Sequence, residues 1–215
     1  MVRTYLYVVD RDFGFAPNPF HGFCTLATCK PVIRRLAQTG DWVIGIGGSR
    51  LNASGRCIFA IRVEECLTFD DYWSDSRFVA KRPIRNGSRK MVVGDNIYHR
   101  LATNAPWQQE DSHHSLPDGR PNLHNMEKDT QTNRVLVSRH FLYFGAEAPT
   151  VPTEIFATMG YKNGRSHRVF LDSDASPLLH WLESTYGRQF GLVLGDPFDF
   201  DLSSKRYSGE NNHIT

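Results

Sequence analysis

Short apolar runs recur along the chain, and most of them are rich in β-branched and aromatic residues and end at glycine or polar positions. Runs of this kind predict β-strands. The predicted strands are residues 5–9, 42–46, 57–63, 135–137, 141–144, 168–171 and 192–194. In the run from 57 to 63, the odd positions are all apolar, and the charged Arg62 falls on the opposite face. This pattern indicates a strand with one buried side.

Helix signals are fewer than strand signals. Pro31 precedes a short helix predicted over residues 32–38, because proline suits the first turn of a helix. Thr68 is a candidate N-cap for a short helix over residues 68–73. A serine and a proline begin a helix predicted over residues 176–186, and a glycine follows it.

The strands outnumber the helices and do not alternate with long helices, which argues against a parallel doubly wound fold. The pattern predicts an α+β fold, built on a small, strongly curved mixed β-sheet or barrel with two or three short flanking helices. We expect one domain over residues 1–202 and a polar, frayed C-terminal tail over residues 203–215.

Two segments depart from the strand pattern. Residues 13–23 combine phenylalanines with glycines and prolines, which block regular structure, so we expect an ordered loop that packs its own rings. Residues 95–133 are rich in Asn, Gln, His and Pro and poor in aliphatic residues. A polar insertion of this length inside a compact domain is usually functional or disordered.

Composition excludes several classes. The chain has 215 residues, of which 40% are hydrophobic, so it can build a core. It lacks a run of about 18 apolar residues, which argues against a membrane helix. Four cysteines do not make a disulfide scaffold, and we expect a cytoplasmic protein with reduced thiols. The net charge of +2 means that any nucleic acid must be bound through local patches.

The polar insertion contains the segment of the chain that is richest in side chains suited to catalysis. His113 and His114 are candidates for general acid–base catalysis, with Asp111 or Asp95 as the carboxylate partner. Neighbouring residues on a strand point in opposite directions, so we expect only one of the two histidines to face a pocket. A solvated loop with satisfied polar groups is the alternative.

The cysteines do not follow a zinc pattern. Cys24 and Cys29 lie near His21 with an acceptable spacing, but Cys57 and Cys66 are further apart and Cys57 falls on an apolar strand face. We therefore expect neither a metal nor a cofactor.

Basic residues cluster in two places, residues 81–90 and the turn at 163–168. Lysine and arginine on loops neutralise phosphate groups. Arg85, Arg89 and Arg168 are the candidates for such contacts, and a solvated loop is the alternative for the first cluster.

The chain resembles the nucleotide modification associated domain family, second type. The resemblance rests on Asp12–Phe20, Cys24–Pro31, Gly94–Tyr98, Asp111–Ser115 and Val135–Phe141. It implies a role in prokaryotic or phage systems that modify DNA bases or handle modified nucleotides. A weaker resemblance, carried by residues 40–44 and 55–63, is to PUA-like domains, which are small curved β-barrels.

Three functions follow as hypotheses. The first is binding of a nucleotide or modified DNA base, with DNA as a possible larger ligand, in a pocket of aromatic rings and polar side chains. The ring candidates are Phe13, Phe15, Phe20, Trp42 and Tyr98, and the base-edge candidates are Asp95, Asn96, Ser112 and His113. The second is a nucleotide or base hydrolase or transferase with a His/Asp acid–base pair. The third is a protein-interaction adaptor. The sequence leaves the choice and the oligomeric state open.

Overall fold

The computed structural model of the chain describes residues 2–164 and 166–215. The strands are Arg3–Val9 (β1), Cys24–Leu26 (β2), Trp42–Gly47 (β3), Cys57–Arg62 (β4), Glu65–Leu67 (β5), Tyr98–His99 (β6), Gln108–Gln109 (β7), Val135–Ser138 (β8), Phe141–Tyr143 (β9), His167–Leu171 (β10), Leu192–Val193 (β11), Tyr207–Ser208 (β12) and His213–Ile214 (β13). The α-helices are Pro31–Leu36 (α1), Phe69–Ser74 (α2), Arg89–Val92 (α3), Leu123–Thr130 (α4), Thr153–Met159 (α5) and Asp172–Tyr186 (α6). Short 3-10 turns cover Ser49–Leu51, Ser76–Lys81, Gly145–Glu147, Gly187–Gln189 and Phe200–Leu202.

The chain divides into two compact units. One comprises Met1–Asp12, Ala37–Glu65 and Ser138–Phe198, and we call it the sheet unit. The other, the loop-rich unit, comprises Phe13–Leu36, Cys66–Val137 and Asp199–Thr215.

The sheet unit is built on six strands in the order β10-β1-β3-β4-β9-β11. β1 pairs parallel with β3, and β9 pairs parallel with β11, while the other neighbours are antiparallel. The predicted mixed sheet with several short helices is therefore confirmed. Among the described residues the sheet is open, with β10 and β11 at its edges, so the barrel alternative is not realised.

Close packing at β3 explains its glycines. Every residue of β3 is buried. A Cβ on Gly45 would lie 2.3 Å from the Phe59 ring, and one on Gly47 would lie 2.2 Å from the carbonyl oxygen of Ala53. Glycine is required at both positions because neighbouring atoms already fill the space that a side chain needs.

Helix α6 begins four residues before the predicted start, with Pro177 inside it. Pro177 has no N–H for the carbonyl of Ser173, and the Ser176 hydroxyl donates to that carbonyl instead, at 2.8 Å. The prediction treated the proline as the first residue of the helix and was wrong there. The buried residues Ala175, Leu178 and Leu182 make one apolar face of α6, which packs against β1 and β10.

The loop-rich unit contains a small sheet in the order β2-β8-β5 and two short antiparallel hairpins, β6-β7 and β12-β13. Its core is mainly aromatic, and the phenylalanines of residues 13–23 are part of it. Phe23 packs edge-on against Phe78, and Phe20 stacks on Phe200. The prediction of an ordered loop with buried rings is confirmed.

The polar insertion is not a solvated loop. It contains β6, β7 and α4, and many of its polar side chains are buried. These are Asp95, Asn96, Gln109, Ser112, His113, His114, Ser115, Asn122, Asn125, Asp129 and Thr132. Buried polar groups are stable only when they are hydrogen-bonded, so the insertion is an internal polar network.

Residues 203–215 are not frayed, which corrects the expectation from sequence. β12 and β13 form a hairpin, and the amide of Tyr207 donates to the carbonyl of His113 at 2.8 Å. The side chain of Asn125 donates to the carbonyl of Tyr207 at 2.6 Å. The segment is polar, but its backbone bonds to the polar insertion, which local composition does not reveal.

None of the helices within residues 2–164 and 166–215 combines the length and the apolar character needed to cross a bilayer.

Candidate active site

Cys29 occupies a strained turn between strand β2 and helix α1. Its φ is 57°, and that of Lys30 is 39°, so two consecutive residues that are not glycine lie in the left-handed region. Such strain persists only where the surroundings enforce it, and it is common at functional sites. A nucleophile carried on a sharp strand-to-helix turn is presented to the substrate in a fixed direction. Cys29 is partly exposed.

The thiol of Cys29 faces an imidazole and a carboxylate in succession. Its Sγ lies 3.7 Å from Nε2 of His114, and Nδ1 of His114 lies 2.7 Å from Oδ2 of Asp129. Both His114 and Asp129 are buried. A nucleophile, a base and a group that orients the base are the elements of nucleophilic catalysis.

Further hydrogen bonds fix the orientation of the Asp129 carboxylate. The Cys29 amide donates to Oδ1 at 2.7 Å, and the Tyr98 hydroxyl donates to Oδ2 at 2.9 Å. Gln109 Nε2 donates to the Tyr98 hydroxyl at 3.0 Å. Since each partner is held by the next, the carboxylate is preorganised toward His114.

Arg34 ties the turn of Cys29 to the segment around Asp129. Its fully buried guanidinium donates to the carbonyl of Cys29 at 2.8 Å and to that of Asp129 at 2.5 Å. It also donates to the carbonyls of Thr132 and Arg134. One side chain therefore fixes both ends of the Cys29, His114 and Asp129 relay.

The relay is charged. Burial alone would lower the pKa of His114, but the charge of Asp129, with a smaller effect of Cys29, raises it to about 10. Burial would raise the pKa of Asp129, and the charge of His114 with its hydrogen bond holds it below its usual value instead. His114 is thus an imidazolium at neutral pH, which places a positive charge beside the sulfur of Cys29.

The same three side chains offer metal-ligand atoms within 4.8 Å of one another. The imidazole, however, presents a different ring nitrogen to each of the other two groups. A single ion would need the sulfur, one ring nitrogen and a carboxylate oxygen on one side. The arrangement is suited to proton transfer and nucleophilic attack more than to metal binding.

His113 and His114 lie on a turn, not on a strand, and both are buried. The argument that only one of them faces a pocket relied on the alternation of a strand, which does not apply to a turn, so this expectation stays untested. The ring of His113 packs against Phe13 at 4.5 Å and Phe15 at 5.2 Å between centroids. Its Nδ1 lies 2.6 Å from the carbonyl of Lys205, which requires Nδ1 to carry the proton.

His113 should make the fold acid-sensitive. Burial, followed by the charge of His114, lowers the pKa of His113 from 6.5 to about 3. At this residue the unfolded chain therefore binds one more proton than the folded chain in this range. Stability should fall by about 1.4 kcal/mol per pH unit as the pH drops from 6.5 toward 3.

Urea denaturation at several pH values measures this slope. His113→Phe should remove most of the acid dependence between pH 6.5 and 4.5, and His124→Asn, at an exposed histidine, should retain it. Equal slopes in the wild type and His113→Phe would contradict the assignment.

Asp111 does not orient either histidine. It contacts Arg206 closely and lies 3.9 Å from Nε of Arg85. The carboxylate that pairs with His114 is Asp129, which the sequence did not single out.

Asp95 belongs to a separate buried cluster. Its carboxylate accepts from the Thr25 hydroxyl at 2.7 Å and from the Tyr72 hydroxyl at 2.8 Å. Lys81, also fully buried, donates to Thr25 Oγ1 at 3.0 Å. These partners give Asp95 a role in holding the fold.

The predicted ring residues are all buried, at 6% exposure or less. Phe13, Phe15, Phe20 and Tyr98 lie in the aromatic core of the loop-rich unit. Trp42 belongs to the sheet unit, where it packs against His140 and Phe190. The rings act as core in this structure, and their stacking on a base stays a prediction.

The remaining predicted ligand residues are dispersed. Asn96 donates to the carbonyls of Tyr72 and Phe78, and Ser112 bonds to Ser115. Arg89 pairs with Asp201 at the surface, and Arg168 is an exposed residue of β10 in the sheet unit. Arg165, in the second basic turn, lies outside the described residues.

Comparison with known proteins gives one match. The family model described as nucleotide modification associated domain 2 matches residues 1–204. No curated protein and no solved structure gives a significant match. Because the matched region spans nearly the whole chain and includes Cys29, His114 and Asp129, the chain belongs to the nucleotide modification associated domain 2 family.

Proposed function

We propose that the protein is a cysteine-dependent hydrolase or transferase that acts on a modified nucleotide or base. One observation carries the proposal: the thiol of Cys29, a residue on a strained turn, faces a buried imidazole whose other nitrogen is paired with a fixed carboxylate. Membership of the family supports a role associated with nucleotide modification. Because a cysteine nucleophile acts through a covalent intermediate, as in acyl transfer, we propose a nucleotide or base that carries an acyl group as the substrate class.

The reaction follows from the positions of the groups. The Cys29 thiolate attacks the carbonyl carbon of the acyl group, and a sulfur–carbon bond forms as the carbonyl electron pair moves to oxygen. On collapse the bond to the base nitrogen breaks, and that nitrogen takes the proton of His114 Nε2. A thioester remains on Cys29.

The second half regenerates the enzyme. Neutral His114 takes a proton from water, or from an amine or hydroxyl acceptor, as that group attacks the thioester carbon. The sulfur–carbon bond breaks and the thiolate and imidazolium return. Asp129 keeps the Nδ1 proton in place throughout, so Nε2 alone exchanges protons.

This proposal replaces pure base binding as the leading hypothesis. A stacking site needs a ring face that a ligand can reach, whereas Phe13 and Phe15 are packed against the two histidines. In this proposal, the protein binds the nucleotide as the substrate of the reaction. The loop of residues 13–23, which we call the Phe-rich loop, does not support an adaptor function, because its phenylalanine rings are buried.

Alkylation of the four cysteines tests the proposal without knowledge of the substrate. With limiting iodoacetamide at neutral pH, Cys29 should react first, and peptide mass spectrometry quantifies each site. Cys24 and Cys57 should stay unmodified, because both are fully buried and burial raises the pKa of each thiol, that of Cys57 to about 12. Cys66, which is partly exposed, serves as the internal reference.

His114→Asn should slow alkylation of Cys29 by about tenfold or more, because the thiol loses its cation. His124→Asn, which changes an exposed histidine of α4, should leave the rate unchanged. Alkylation of Cys29 no faster than that of Cys66, or an unchanged rate in His114→Asn, would reject the proposed nucleophile.

A further inference from the structure

Two arginines of the loop-rich unit share a single carboxylate. Arg206 contacts Asp111 closely, and Nε of Arg85 lies 3.9 Å from the same oxygen. The arginine side chains are only 20% (Arg85) and 11% (Arg206) exposed, whereas Asp111 is 44% exposed. The two guanidiniums therefore lie below the surface, and the Asp111 oxygen that they share is buried with them.

The pair carries an uncompensated positive charge. Two guanidiniums and one carboxylate leave a net charge of +1 in a partly buried place. Burial lowers the pKa of Arg85, and the charge of Arg206 lowers it further, against the effect of Asp111. Two cations that repel one another in a poorly solvated position are stabilised by an anion that contacts both.

Backbone carbonyls hold both guanidiniums in place. Arg85 donates from Nη2 to the carbonyl of Ser204 at 2.6 Å, and Arg206 donates to the carbonyl of Ser112. The side chains have therefore already lost their rotamer freedom before any ligand arrives. Preorganised, planar donor groups are what bidentate recognition of phosphate requires.

The arginine pair adjoins the turn that carries the catalytic histidine. Ser112, whose carbonyl Arg206 contacts, lies two residues before His114. The ring centroids of His113 and His114 are 6.1 Å apart, and both arginines act electrostatically on His113. An anion on the pair would therefore lie next to the turn that carries His114.

We propose that Arg85 and Arg206 form the subsite for the phosphate group of the nucleotide substrate, and that Asp111 competes with that phosphate for the two guanidiniums. The inference rests on the proposed function and deepens it, since it makes the substrate a nucleotide and not a free base or a nucleoside. Asp111 then limits affinity for the phosphate and takes no part in catalysis.

Calorimetric titration of Cys29→Ser with the four deoxynucleoside 5′-monophosphates at low salt tests the subsite, because this variant cannot turn over a substrate. At least one monophosphate should bind about tenfold or more tightly than its nucleoside. Arg85→Gln and Arg206→Gln in the same background should each remove about tenfold or more in affinity. Arg120→Gln, at an exposed arginine paired with Asp118, should not change it.

Asp111→Asn gives the sharpest outcome. Because Asp111 is partly exposed, the substitution should leave the fold intact, and it should tighten monophosphate binding by about threefold or more by removing the competing charge. A structural role of Asp111 predicts the opposite, since its loss would loosen both arginines. This variant keeps the proposal testable even where an arginine variant folds poorly.

A short single-stranded oligodeoxynucleotide forms the second arm and distinguishes a polymer phosphate from a free nucleotide. Arginine-dependent binding of the oligonucleotide alone would assign the subsite to a backbone phosphate of DNA. Wild-type affinity in both arginine variants, weaker binding in Asp111→Asn, or no binding of any probe at millimolar concentration would overturn the proposal. Arginine-dependent binding with an unreactive Cys29 would refute the proposed chemistry alone.

Discussion

Replacing Asp129 by asparagine should lower the turnover number on a base-acylated nucleotide by about 10²–10⁴-fold. Asp129 accepts the Nδ1 proton of His114 at 2.7 Å and supplies the charge that keeps His114 protonated. An amide of the same shape supplies no charge and leaves the imidazole free to lose its proton or to adopt the other tautomer. The thiolate then loses its cation, and the leaving group loses its acid.

Release of dCMP from N4-acetyl-dCMP, followed by liquid chromatography and normalised to the folded fraction, measures this effect. Glu127→Gln is the matched control, because it makes the same change of charge at an exposed position of α4, two residues away. Turnover by Asp129→Asn within a few-fold of the wild type would show that the carboxylate does not act on His114.

Replacing Lys81 by methionine should cost about 3–5 kcal/mol of stability, the largest loss we expect from a single substitution. The ammonium of Lys81 is fully buried and donates to the carbonyls of Asn18 and Phe23 and to Oδ1 of Asn18, all within 2.9 Å. Methionine fills a similar volume but leaves these acceptors unpaired. It also leaves the buried carboxylate of Asp95 without a nearby cation.

Guanidinium denaturation monitored by tryptophan fluorescence measures the loss, and Lys128→Met on the exposed face of α4 is the control with no expected change. Adding Asp95→Asn to Lys81→Met should recover part of the lost stability, since the double variant buries no unpaired charge. A single variant within about 1 kcal/mol of the wild type, or a double variant that is less stable than the sum of both, would contradict this assignment.

In both units, the parts of the fold that could be predicted from the sequence are those that depend on a few neighbouring residues. The runs at residues 42–46 and 57–63 became β3 and β4, because alternation and β-branched residues act over a few neighbours. Thr68 caps α2 with a complete capping box, another local signal. The start of α6 was missed, because a side-chain hydroxyl replaces the bond that Pro177 cannot make.

The site could be predicted only in part. His114 was found because adjacent histidines in a polar segment are unusual. Cys29 was considered only as a zinc ligand and was set aside on the spacing of the cysteines. It lies 85 positions from His114, and no local pattern joins the two residues. Asp129 lies on α4, and an acidic residue in a helix is normally interpreted as part of its solvent-exposed face. Burial of the polar insertion, which only tertiary structure reveals, turned these residues into one network.

Lys81 shows the same limit. It opens a run of cations that suggested phosphate contacts on a solvated loop, yet it is fully buried against the Phe-rich loop. Burial lowers its pKa to about 8, while the charge of Asp95 opposes the shift. The sequence does not indicate whether the Lys81 ammonium faces water or the protein core, because the loop that it contacts lies far away along the chain.

The most direct test of the account is the covalent state of Cys29 during turnover. N4-acetyl-dCMP is mixed with the wild-type protein, the reaction is quenched in acid, and intact-mass and peptide mass spectrometry locate any acetyl group. The account predicts an acetyl thioester on Cys29 that is absent from Cys29→Ser and that forms more slowly in Asp129→Asn. Release of dCMP by Cys29→Ser at the wild-type rate, or by the wild type without any adduct on Cys29, would contradict it.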